Sequence, residues 1–521
     1  MMKFFKKVLS LLSAVAVCTA GYPALCVSAA ESVQGDDWLH VEGNKIYNAE
    51  GNEVWITGCN WFGFNVGSGV FDGVWSQNMH DMINQIADHG FNFLRIPVST
   101  QILLQWMNDE PDPAPPKVNP YVNPELVVDD DPSVMSTLDS KSLFNKAVEW
   151  CDDAGIKIMI DIHSAETHAA GHNFALWYND TYSTEDLYTA LEWFAEEYKN
   201  DDTIVAIDIK NEPHGTADTP DNMAKWDDSD DPNNWKMVAE TAGKRILDIN
   251  PNLLIVVEGV EVYPKEGYDW TAPRIDWTTM TEYYYGTWWG ANLRGVKNYP
   301  VDLGKYKNNL VYSPHDYGPL VYDQTWFYDG FTQESVYNDC WHDNWAYIYE
   351  DGIAPLLIGE WGGFMDGDRN EQWMTYIRDY IIENRLHHTF WCFNENSGDT
   401  GGLVYDNFSK WDEEKYNFVK PSLWQTDDGK FIGLDHEIPL GKNGITVAEY
   451  YDGGGNTETS LSGDVNCDGS VDVRDITLLV KYILGSGNLS SAALKNADVS
   501  SDGKVNVSDV SCLKKQLINI K

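Results

Sequence analysis

The sequence predicts a (β/α)8 barrel followed by a small all-α module built on two acidic loops. Eight short apolar runs alternate with helical patterns between residues 40 and 420, as in a barrel in which each parallel strand leads into a helix. A tandem repeat of acidic loops begins at Asp464, after a glycine-rich stretch. The length of 521 residues suits two or three domains.

The first 29 residues have the pattern of a secretory signal peptide. Three lysines among the first seven residues precede the apolar stretch Val8–Ala20, and residues 27–29 form a small-x-small cleavage site. The apolar stretch is too short to span a bilayer comfortably. We therefore expect a soluble, secreted mature protein with no membrane anchor.

The charge of the chain argues against two classes of partner. A formal net charge of −45 disfavours binding to nucleic acid or to an anionic membrane. The chain also contains 22 Trp and 28 Tyr, which suit a large core and surfaces that stack on sugars.

Six cysteines lie beyond the signal peptide, and none belongs to a C-x-x-C pair, so a zinc ribbon is not expected. Cys467 and Cys512 share the C-terminal module and could form a disulfide. We expect the other four to be small buried apolar residues.

The barrel prediction rests on the order of the elements over residues 38–445. A doubly wound sheet is the alternative, but no Gly-rich phosphate loop follows the first strand. Residues 111–124 are rich in proline and are interpreted as a loop inserted after the second strand. Residues 446–462 are interpreted as a linker and residues 463–521 as the second module. The eight apolar runs are Val54–Asn60, Asn92–Val98, Lys157–His163, Thr203–Glu212, Leu253–Val260, Asn309–Tyr317, Ala354–Trp361 and His388–Asn394, and helical patterns occupy Asn78–Gly90, Ser140–Gly155, Glu185–Asn200, Asn234–Asn250 and Glu371–Asn384.

Polar or aromatic residues follow most of the predicted strands, where a (β/α)8 barrel keeps its active site. A purely structural barrel would not need such side chains at one end of so many strands. These residues are Arg95, His163, Asn211, Glu212, Glu258, His315, Asp316, Tyr317, Glu360, Trp361 and Trp391.

Two of these residues are carboxylates on strands four and seven, Glu212 and Glu360. Paired carboxylates in a cleft are the usual catalytic groups of glycoside hydrolysis. One must be protonated to give its proton to the leaving oxygen, and the other must be ionised to attack the anomeric carbon, so their surroundings must push the two pKa values apart. Arg95 could keep one carboxylate ionised.

Five short motifs lie at the ends of the predicted strands or shortly after them. They are Ile207-Asp-Ile-Lys-Asn-Glu-Pro-His214, Phe91-Asn-Phe-Leu-Arg-Ile-Pro97, Ser313-Pro-His-Asp-Tyr317, Ile358-Gly-Glu-Trp-Gly362 and Asn396-Ser-Gly-Asp-Thr-Gly-Gly402. Together these motifs resemble glycoside hydrolase family 5, in the large clan of barrels with the acid/base and nucleophile on strands four and seven. The stretch Trp288-Trp-Gly-Ala-Asn-Leu-Arg-Gly295 is similar to the bacterial endoglucanase branch.

The resemblance implies a role for each matching residue. Glu212 would be the general acid/base and Glu360 the nucleophile of a retaining mechanism, with the two carboxyl groups about 5–5.5 Å apart. Asn211 would bind the substrate 2-hydroxyl. The other implied roles are contacts of Arg95 and Tyr317 with Glu360, a sugar subsite lined by His163 and His315, and a hydrophobic floor formed by Trp391.

Further tryptophans, Trp61, Trp288 and Trp289, are candidates for extending the cleft, since indole stacks on the apolar faces of sugars. The substrate implied by the resemblance is cellulose or a related β-glucan, hydrolysed by a monomeric catalytic domain. Mannan and xyloglucan remain alternatives, as does a barrel that only binds carbohydrate. Another alternative is a metal hydrolase with Asp161, His163, His315 and Asp316 as ligands.

The C-terminal repeat has the layout of a calcium loop, with oxygen-bearing side chains at positions 1, 3, 5, 9 and 12 and Gly at position 6. The duplicated pattern resembles a dockerin, which implies structural Ca2+ and binding to a cohesin domain of a scaffoldin within a cellulosome. Position 7 would contribute its backbone carbonyl. The candidate ligands are Asp464, Asn466, Asp468, Ser470, Asp472 and Asp475 in the first loop and Asp498, Ser500, Asp502, Lys504, Asn506 and Asp509 in the second.

Overall fold

The computed structural model describes residues 37–128, 135–215, 222–273, 281–452, 461–466, 471–484, 489, 491–500 and 503–519. The predicted signal peptide lies outside the described residues. So do four residues of the C-terminal module that carry predictions, Cys467, Asp468, Ser470 and Asp502, and with them the predicted pairing of Cys467 with Cys512.

Eight parallel strands form the barrel, and each overlaps one of the predicted apolar runs. Every residue of these strands is buried, as expected for a sheet covered by helices on one side and filled by its own side chains on the other. The strands are β1 Thr57–Asn60, β2 Phe93–Ser99, β3 Lys157–Ser164, β4 Ile204–Asp208, β5 Leu254–Glu258, β6 Leu310–Ser313, β7 Leu357–Trp361 and β8 His387–Phe390.

The strands pair in chain order, and β8 pairs with β1 in parallel, with Gly58 opposite Thr389. Between β6 and β7 the ladder is reduced to two parallel bridges, Tyr312 with Leu356 and His315 with Glu360. Because these bridges join the ends of the sheet, the barrel closes. The (β/α)8 prediction is confirmed, and the doubly wound sheet is excluded.

Helices follow most of the strands and begin at the side-chain caps expected from their sequence. Asn78 Oδ1 accepts a hydrogen bond from the Asp81 amide, and Ser183 forms a reciprocal capping box with Asp186. The helices of the barrel domain are Met79–Asp88, Thr100–Met107, Ser140–Asp153, Thr184–Glu197, Trp235–Ile249, Gln333–Val336, Tyr337–Ala346 (a π-helix), Tyr347–Glu350, Arg369–Asn384, Glu413–Val419 and Val447–Asp452.

Short elements decorate the barrel. Three small antiparallel pairs join His40–Glu42 with Lys45–Tyr47, Val262–Pro264 with Tyr284–Gly286, and Val404–Tyr405 with Lys410–Trp411. Short 3-10 turns occupy Phe64–Val66, Pro124–Leu126, Gly171–Asn173, Arg294–Lys297, Gly304–Asn309 and Lys420–Ser422. None of the described helices is long and apolar enough to cross a membrane.

The four barrel-domain cysteines, Cys59, Cys151, Cys340 and Cys392, are buried and unpaired. Burial raises the pKa of the Cys59 thiol well above its usual value, which leaves it an inert apolar group. The prediction of four small buried residues is confirmed.

The linker prediction is wrong at its start. The predicted boundary falls between residues 445 and 446, but the helix Val447–Asp452 still belongs to the barrel domain. Tyr450 is 7% exposed and packs edge-on against Trp424 with ring centroids 5.4 Å apart. The Tyr451 hydroxyl donates to the carbonyl oxygen of Glu53, just before β1. The barrel domain therefore extends to residue 452.

The C-terminal module is all-α in its described residues, as predicted. It contains the helices Val473–Ile483, Ser491–Ala497 and Val507–Asn519. A small core of Val465, Leu479, Ala497, Val510 and Leu513 lies between them.

Candidate active site

A cavity of about 880 Å³ opens at the carboxyl ends of the barrel strands. The strand ends bring most of the predicted site residues together here. Arg95 and His315 lie beneath this cavity, completely buried. The predicted residues that line it are His163, Asn211, Glu212, Trp288, Trp289, Tyr317, Glu360 and Trp391.

Glu212 lies four residues after the end of β4, in a left-handed backbone conformation with φ 50°. Its amide donates to Glu258 Oε2 at 2.7 Å, which anchors this unusual turn to the end of β5. Gly290 lies against the same two residues with φ 73°, and a Cβ there would come within 2.2 Å of Glu258 Oε2. Only glycine therefore fits at position 290 without displacing this support.

Glu360 lies within β7 and receives two strong donors. Arg95 Nη1 donates to Glu360 Oε1 at 2.7 Å, and the Tyr317 hydroxyl donates to Glu360 Oε2 at 2.5 Å. One oxygen of Glu360, one oxygen of Glu212 and a ring nitrogen of His315 lie within 4.8 Å of one another. The two carboxylates thus face each other at close range.

Arg95 organises the floor of the site. Its guanidinium, which is fully buried, lies 3.2 Å from Asp161, 2.9 Å from Asp208 and 3.2 Å from Glu258. Burial alone would lower the pKa of Arg95, but the surrounding carboxylates raise it well above the usual value. One permanent cation therefore compensates a ring of buried carboxylates.

Arg95 Nη2 also donates to Asn211 Oδ1 at 3.0 Å. The amide group of Asn211 is thereby oriented with its nitrogen as the remaining donor. Within the described part of the chain this Asn211 Nδ2 has no acceptor, although it is buried. An unused donor at the wall of a cavity is suited to binding a ligand hydroxyl.

His315 lies between three carboxylates. Its Nδ1 is 2.9 Å from Glu212 Oε1 and its Nε2 is 3.1 Å from Glu258 Oε1. Burial would lower the pKa of His315, but Glu258, Glu360 and the hydrogen bond with Glu212 raise it well above its usual value. These carboxylates therefore favour the protonated form of the imidazole in the unliganded site.

The pKa values of the two facing carboxylates are pushed apart, but in the sense opposite to the roles implied by the sequence. Burial would raise the pKa of Glu212, yet the hydrogen bond and charge of His315 lower it to about 2. Burial raises the pKa of Glu360, although His315 and Arg95 oppose the shift. The charge of His315, one hydrogen bond away, therefore favours the ionised form of Glu212 in the unliganded site.

Trp391 forms part of a flat aromatic surface. Its ring stacks on His163 with centroids 5.9 Å apart and an interplanar angle of 10°, and on Phe62 at 5.7 Å and 17°. His163 Nδ1 is 2.6 Å from Asp161 Oδ2. Burial lowers the pKa of His163 to about 3, so the ring is neutral and adds no charge to this surface.

The three additional tryptophans have different positions. The prediction for Trp61 is wrong: it is fully buried, stacked on Phe71 at 4.0 Å, and does not line the cavity. Trp288 lines the cavity but is only 7% exposed and packs against Tyr317. Trp289 lines the cavity and is partly exposed.

The metal-hydrolase alternative is wrong. Asp316 Oδ1 accepts a hydrogen bond from Trp373 Nε1 at 2.9 Å, and Asp316 belongs to none of the clusters of three or more potential metal ligands among the described residues. The imidazole of His315 is instead engaged by Glu212 and Glu258. The four residues of the proposed metal site do not converge on one point.

The sequence prediction missed Asp208 and did not recognise Glu258 and Asp161 as supports of the site. A signal was present, because Asp208 interrupts the apolar run of β4 and Asp161 interrupts that of β3. Buried carboxylates within strands require a cation, and Arg95 is at the right level of the barrel to supply it.

The two acidic loops of the C-terminal module have matching local structure. Asp475, at position 12 of the first loop, accepts hydrogen bonds from the amides of Asn466 and Asp472. Asp509, at position 12 of the second, accepts from Ser500 and Asn506. Both carboxylates are completely buried and belong to an oxygen-rich donor set of the kind that hard cations prefer.

Comparison with known families agrees with this geometry. Residues 47–397 match the family model described as cellulase (glycosyl hydrolase family 5). The chain belongs to glycoside hydrolase family 5. Residues 462–518 match the dockerin type I domain, so the family 5 barrel carries a dockerin at its C-terminal side.

Relatives with both high identity and high coverage are known. The chain is 48% identical to Endoglucanase G of Acetivibrio thermocellus over 94% of each chain. It is 46% identical to Endoglucanase B of the same organism over 86% of each. Among solved structures, a cellotetraose complex of an endocellulase variant from Pyrococcus horikoshii has a TM-score of 0.63 and 31% identity, covering 74% of this chain and 98% of that one.

Proposed function

We propose that this family 5 enzyme is a retaining endo-β-1,4-glucanase, with Glu212 as general acid/base and Glu360 as nucleophile. The observation that carries the proposal is the close approach of the two carboxylates, with one oxygen of each within 4.8 Å. Retaining enzymes hold these groups about 5–5.5 Å apart, whereas inverting enzymes leave about 6.5–9.5 Å for a water molecule.

In the first step Glu360 attacks the anomeric carbon and the glycosidic C–O bond breaks. Glu212 gives its proton to the departing oxygen. The hydrogen bond from His315 Nδ1 supplies a path by which Glu212 gains this proton, because the imidazolium lies 2.9 Å away. In the second step water attacks the glycosyl–Glu360 bond, Glu212 accepts the water proton, and Glu360 is released.

The surrounding residues support each step. Arg95 and Tyr317 stabilise the ionised form of Glu360 before attack and after release. Asn211 Nδ2 is the donor for the sugar 2-hydroxyl, and the floor formed by Trp391 and His163 carries the apolar face of the ring.

A β-1,4-glucan is the substrate class that the relatives favour. Two of them are named endoglucanases, and the Pyrococcus horikoshii endocellulase binds cellotetraose. Initial rates on carboxymethylcellulose, lichenan, glucomannan and xyloglucan test this assignment. We expect the two glucans without branches to be hydrolysed fastest, and a preference for glucomannan or xyloglucan would contradict it.

Glu212→Gln and Glu360→Gln test the catalytic assignment. Both substitutions keep the size of the side chain, so the barrel should melt at a temperature close to that of the wild type. We expect each to reduce kcat on carboxymethylcellulose by at least about 10³-fold. Glu110→Gln, on an exposed loop, is the matched control and should retain full activity. Near wild-type turnover by either catalytic variant would refute the assignment.

We further propose that the mature enzyme is secreted and docks on a scaffoldin cohesin through its dockerin, in a calcium-dependent manner. The residues that would hold Ca2+ in the described structure are Asp464, Asn466, Asp472 and Asp475 in the first loop and Asp498, Ser500, Asn506 and Asp509 in the second. When bound, the cation would offset the repulsion among these carboxylates.

EDTA treatment followed by calcium addition tests this proposal. Cohesin binding measured by calorimetry should disappear with EDTA and return with Ca2+, while hydrolysis of soluble glucan stays unchanged. Cohesin binding that persists in EDTA would contradict the calcium requirement.

A further inference from the structure

A buried lysine lies beside the turn that carries the catalytic acid. Lys210 is two residues ahead of Glu212, it is completely buried, and it does not line the cavity. Its Nζ donates to the backbone carbonyl oxygen of Asn211 and, at 3.4 Å, to that of His163. Because the ammonium group does not reach the cavity, any effect of Lys210 on the reaction has to pass through the residues that it contacts.

The two carbonyl groups belong to residues that line the cavity from neighbouring strands. His163 lies in β3, whereas Asn211 follows β4 and directly precedes Glu212. Glu212 has φ 50°, and a residue other than glycine keeps a left-handed conformation only where its surroundings hold it. Lys210 therefore braces this turn from the β3 side, as Glu258 does from the β5 side.

The ammonium group of Lys210 also faces a cluster of buried carboxyl groups. This carboxyl cluster consists of Asp161 on β3, Asp208 on β4, Glu212 after β4, Glu258 on β5 and Glu360 on β7. The other titratable groups around it are Arg95 on β2, His163 on β3, His214 after β4 and His315 after β6. Burial lowers the pKa of Lys210, and four members of the carboxyl cluster, all except Glu360, oppose that shift. Lys210 thus lies where a positive charge is stabilised by its surroundings.

The carboxyl cluster has more acidic groups than cations. Among the described residues, Arg95, Lys210 and a protonated His315 supply three positive charges to its five carboxyl groups. Burial accordingly raises the pKa of Glu258 well above its usual value and that of Asp161 to about 6. Loss of one cation would therefore leave the cluster with one more proton or with one more uncompensated negative charge.

We propose that Lys210 is a positioning residue of the catalytic centre, which braces the turn at Asn211 and Glu212 and supplies a second buried positive charge beside that of Arg95. This inference rests on the proposed function, because it takes Glu212 and Glu360 as the catalytic pair. The charge of Lys210 favours the ionised forms of the carboxyl groups around it. Lys210 thereby sets the pH range in which one catalytic carboxyl group is protonated while the other is ionised.

Replacement of Lys210 by a neutral residue should move both limbs of the kcat/KM profile to higher pH. Without the ammonium charge the ionised carboxylates are less stable, so the pKa values of Glu212 and Glu360 both rise. Each limb reports one of these carboxyl groups, and the two limbs therefore move in the same direction. We expect shifts of about one pH unit, as for the loss of a unit charge about 10 Å away at an effective dielectric constant of about 20.

Three variants separate the charge of Lys210 from its bracing contacts. Lys210→Met removes both, Lys210→Gln keeps an amide donor without the charge, and Lys210→Arg keeps donors and charge. The assay is kcat/KM on cellotetraose across the pH range in which each variant stays folded. The Met and Gln variants should both shift the limbs, and the Arg variant should restore them. The Gln variant should retain more of the maximal kcat than the Met variant, because it can still brace the turn. If the Met variant does not fold, the comparison of Gln with Arg tests the proposal.

Lys157→Met is the matched control for the loss of a buried lysine. Lys157 is 1% exposed and lies at the start of β3, at the opposite end of that strand from the cavity. Its Nζ is 3.1 Å from Asp37 Oδ2 and 2.9 Å from Asp435 Oδ2. Its replacement should lower the melting temperature and leave both limbs in place.

The pH profiles distinguish failure of this inference from failure of the proposed function. Unshifted limbs in the neutral Lys210 variants would overturn the role of Lys210. So would an equal shift in Lys157→Met, or the full shift in Lys210→Arg. Failure of the wild type to cleave cellotetraose at any pH would instead refute the proposed function.

Discussion

Tyr317→Phe should move the acid limb of the pH–rate profile to higher pH. The substitution removes the hydroxyl that donates to Glu360 Oε2 at 2.5 Å and leaves the aromatic ring in place. A hydrogen bond to an ionised group contributes about 1.5–3 kcal/mol. Because one pKa unit corresponds to about 1.36 kcal/mol, the pKa of Glu360 should rise by about 1–2 units.

The direction of this shift follows from the charge state that the hydroxyl stabilises. The hydroxyl donates to the carboxylate, so its loss disfavours the ionised form and the nucleophile becomes protonated at a higher pH. Arg95 remains on Glu360 Oε1 and limits the effect. The acid limb of the kcat/KM profile reports the free enzyme and should therefore move to higher pH. Activity on the alkaline side of the profile should fall less than activity on the acid side.

The assay is kcat/KM on a soluble cello-oligosaccharide, measured across the pH range in which the protein stays folded. Tyr312→Phe is the matched control, because its buried hydroxyl accepts a hydrogen bond from the Val301 amide outside the cavity. It should leave the acid limb in place. An unshifted limb in Tyr317→Phe, or an equal shift in Tyr312→Phe, would refute the reasoning.

Three further outcomes follow from the structure. Gly290→Ala should lower kcat at least about tenfold and the free energy of unfolding by about 1–3 kcal/mol, because its Cβ would collide with Glu258 at a positive φ; wild-type kinetics would contradict this. Asn211→Ala should lower kcat/KM about 100-fold on a glucoside but much less on its 2-deoxy analogue, since the unused Nδ2 donor serves the 2-hydroxyl; equal losses on both substrates would contradict it. Truncation after residue 445 instead of 452 should lower the free energy of unfolding of the barrel by about 3–5 kcal/mol, because Tyr450 is lost from the packing against Trp424; equal urea midpoints of the two truncations would contradict it.

The barrel was predictable because its strands are buried on both faces. Such strands read as short apolar runs, and the residues that break the pattern at their carboxyl ends have to face the cavity. Glu212 and Glu360 stand out for this reason. The repeat of acidic residues at fixed positions likewise identifies the second module without reference to tertiary contacts.

Other features depend on contacts between residues distant in sequence. Trp61 resembles the other cleft tryptophans in sequence, but Phe71 and Phe393 cover its ring. The helix Val447–Asp452 lies beside a glycine-rich segment and is held by Trp424 and the strand entry near Glu53. The sequence around Trp61 and around this helix does not reveal these packing partners.

The order of the pKa values of Glu212 and Glu360 was beyond sequence reasoning for a different reason. It depends on three carboxylates meeting one imidazole, and the distances from His315 to Glu212 and Glu258 differ by only a few tenths of an ångström. Ion-pair geometry of this kind arises from the register of β4, β5 and β6 in the closed barrel.

The point at which the chain leaves the barrel has a mechanical consequence. Tyr451 is tied to the backbone just ahead of β1, on the face where strands begin, whereas the cleft opens where strands end. The linker to the dockerin therefore begins on the side of the barrel opposite the cleft that binds the polysaccharide. Because the linker begins on the side opposite the cleft, the enzyme can move along a glucan surface while it is attached through its dockerin. The start of the linker does not block the glucan that the enzyme hydrolyses.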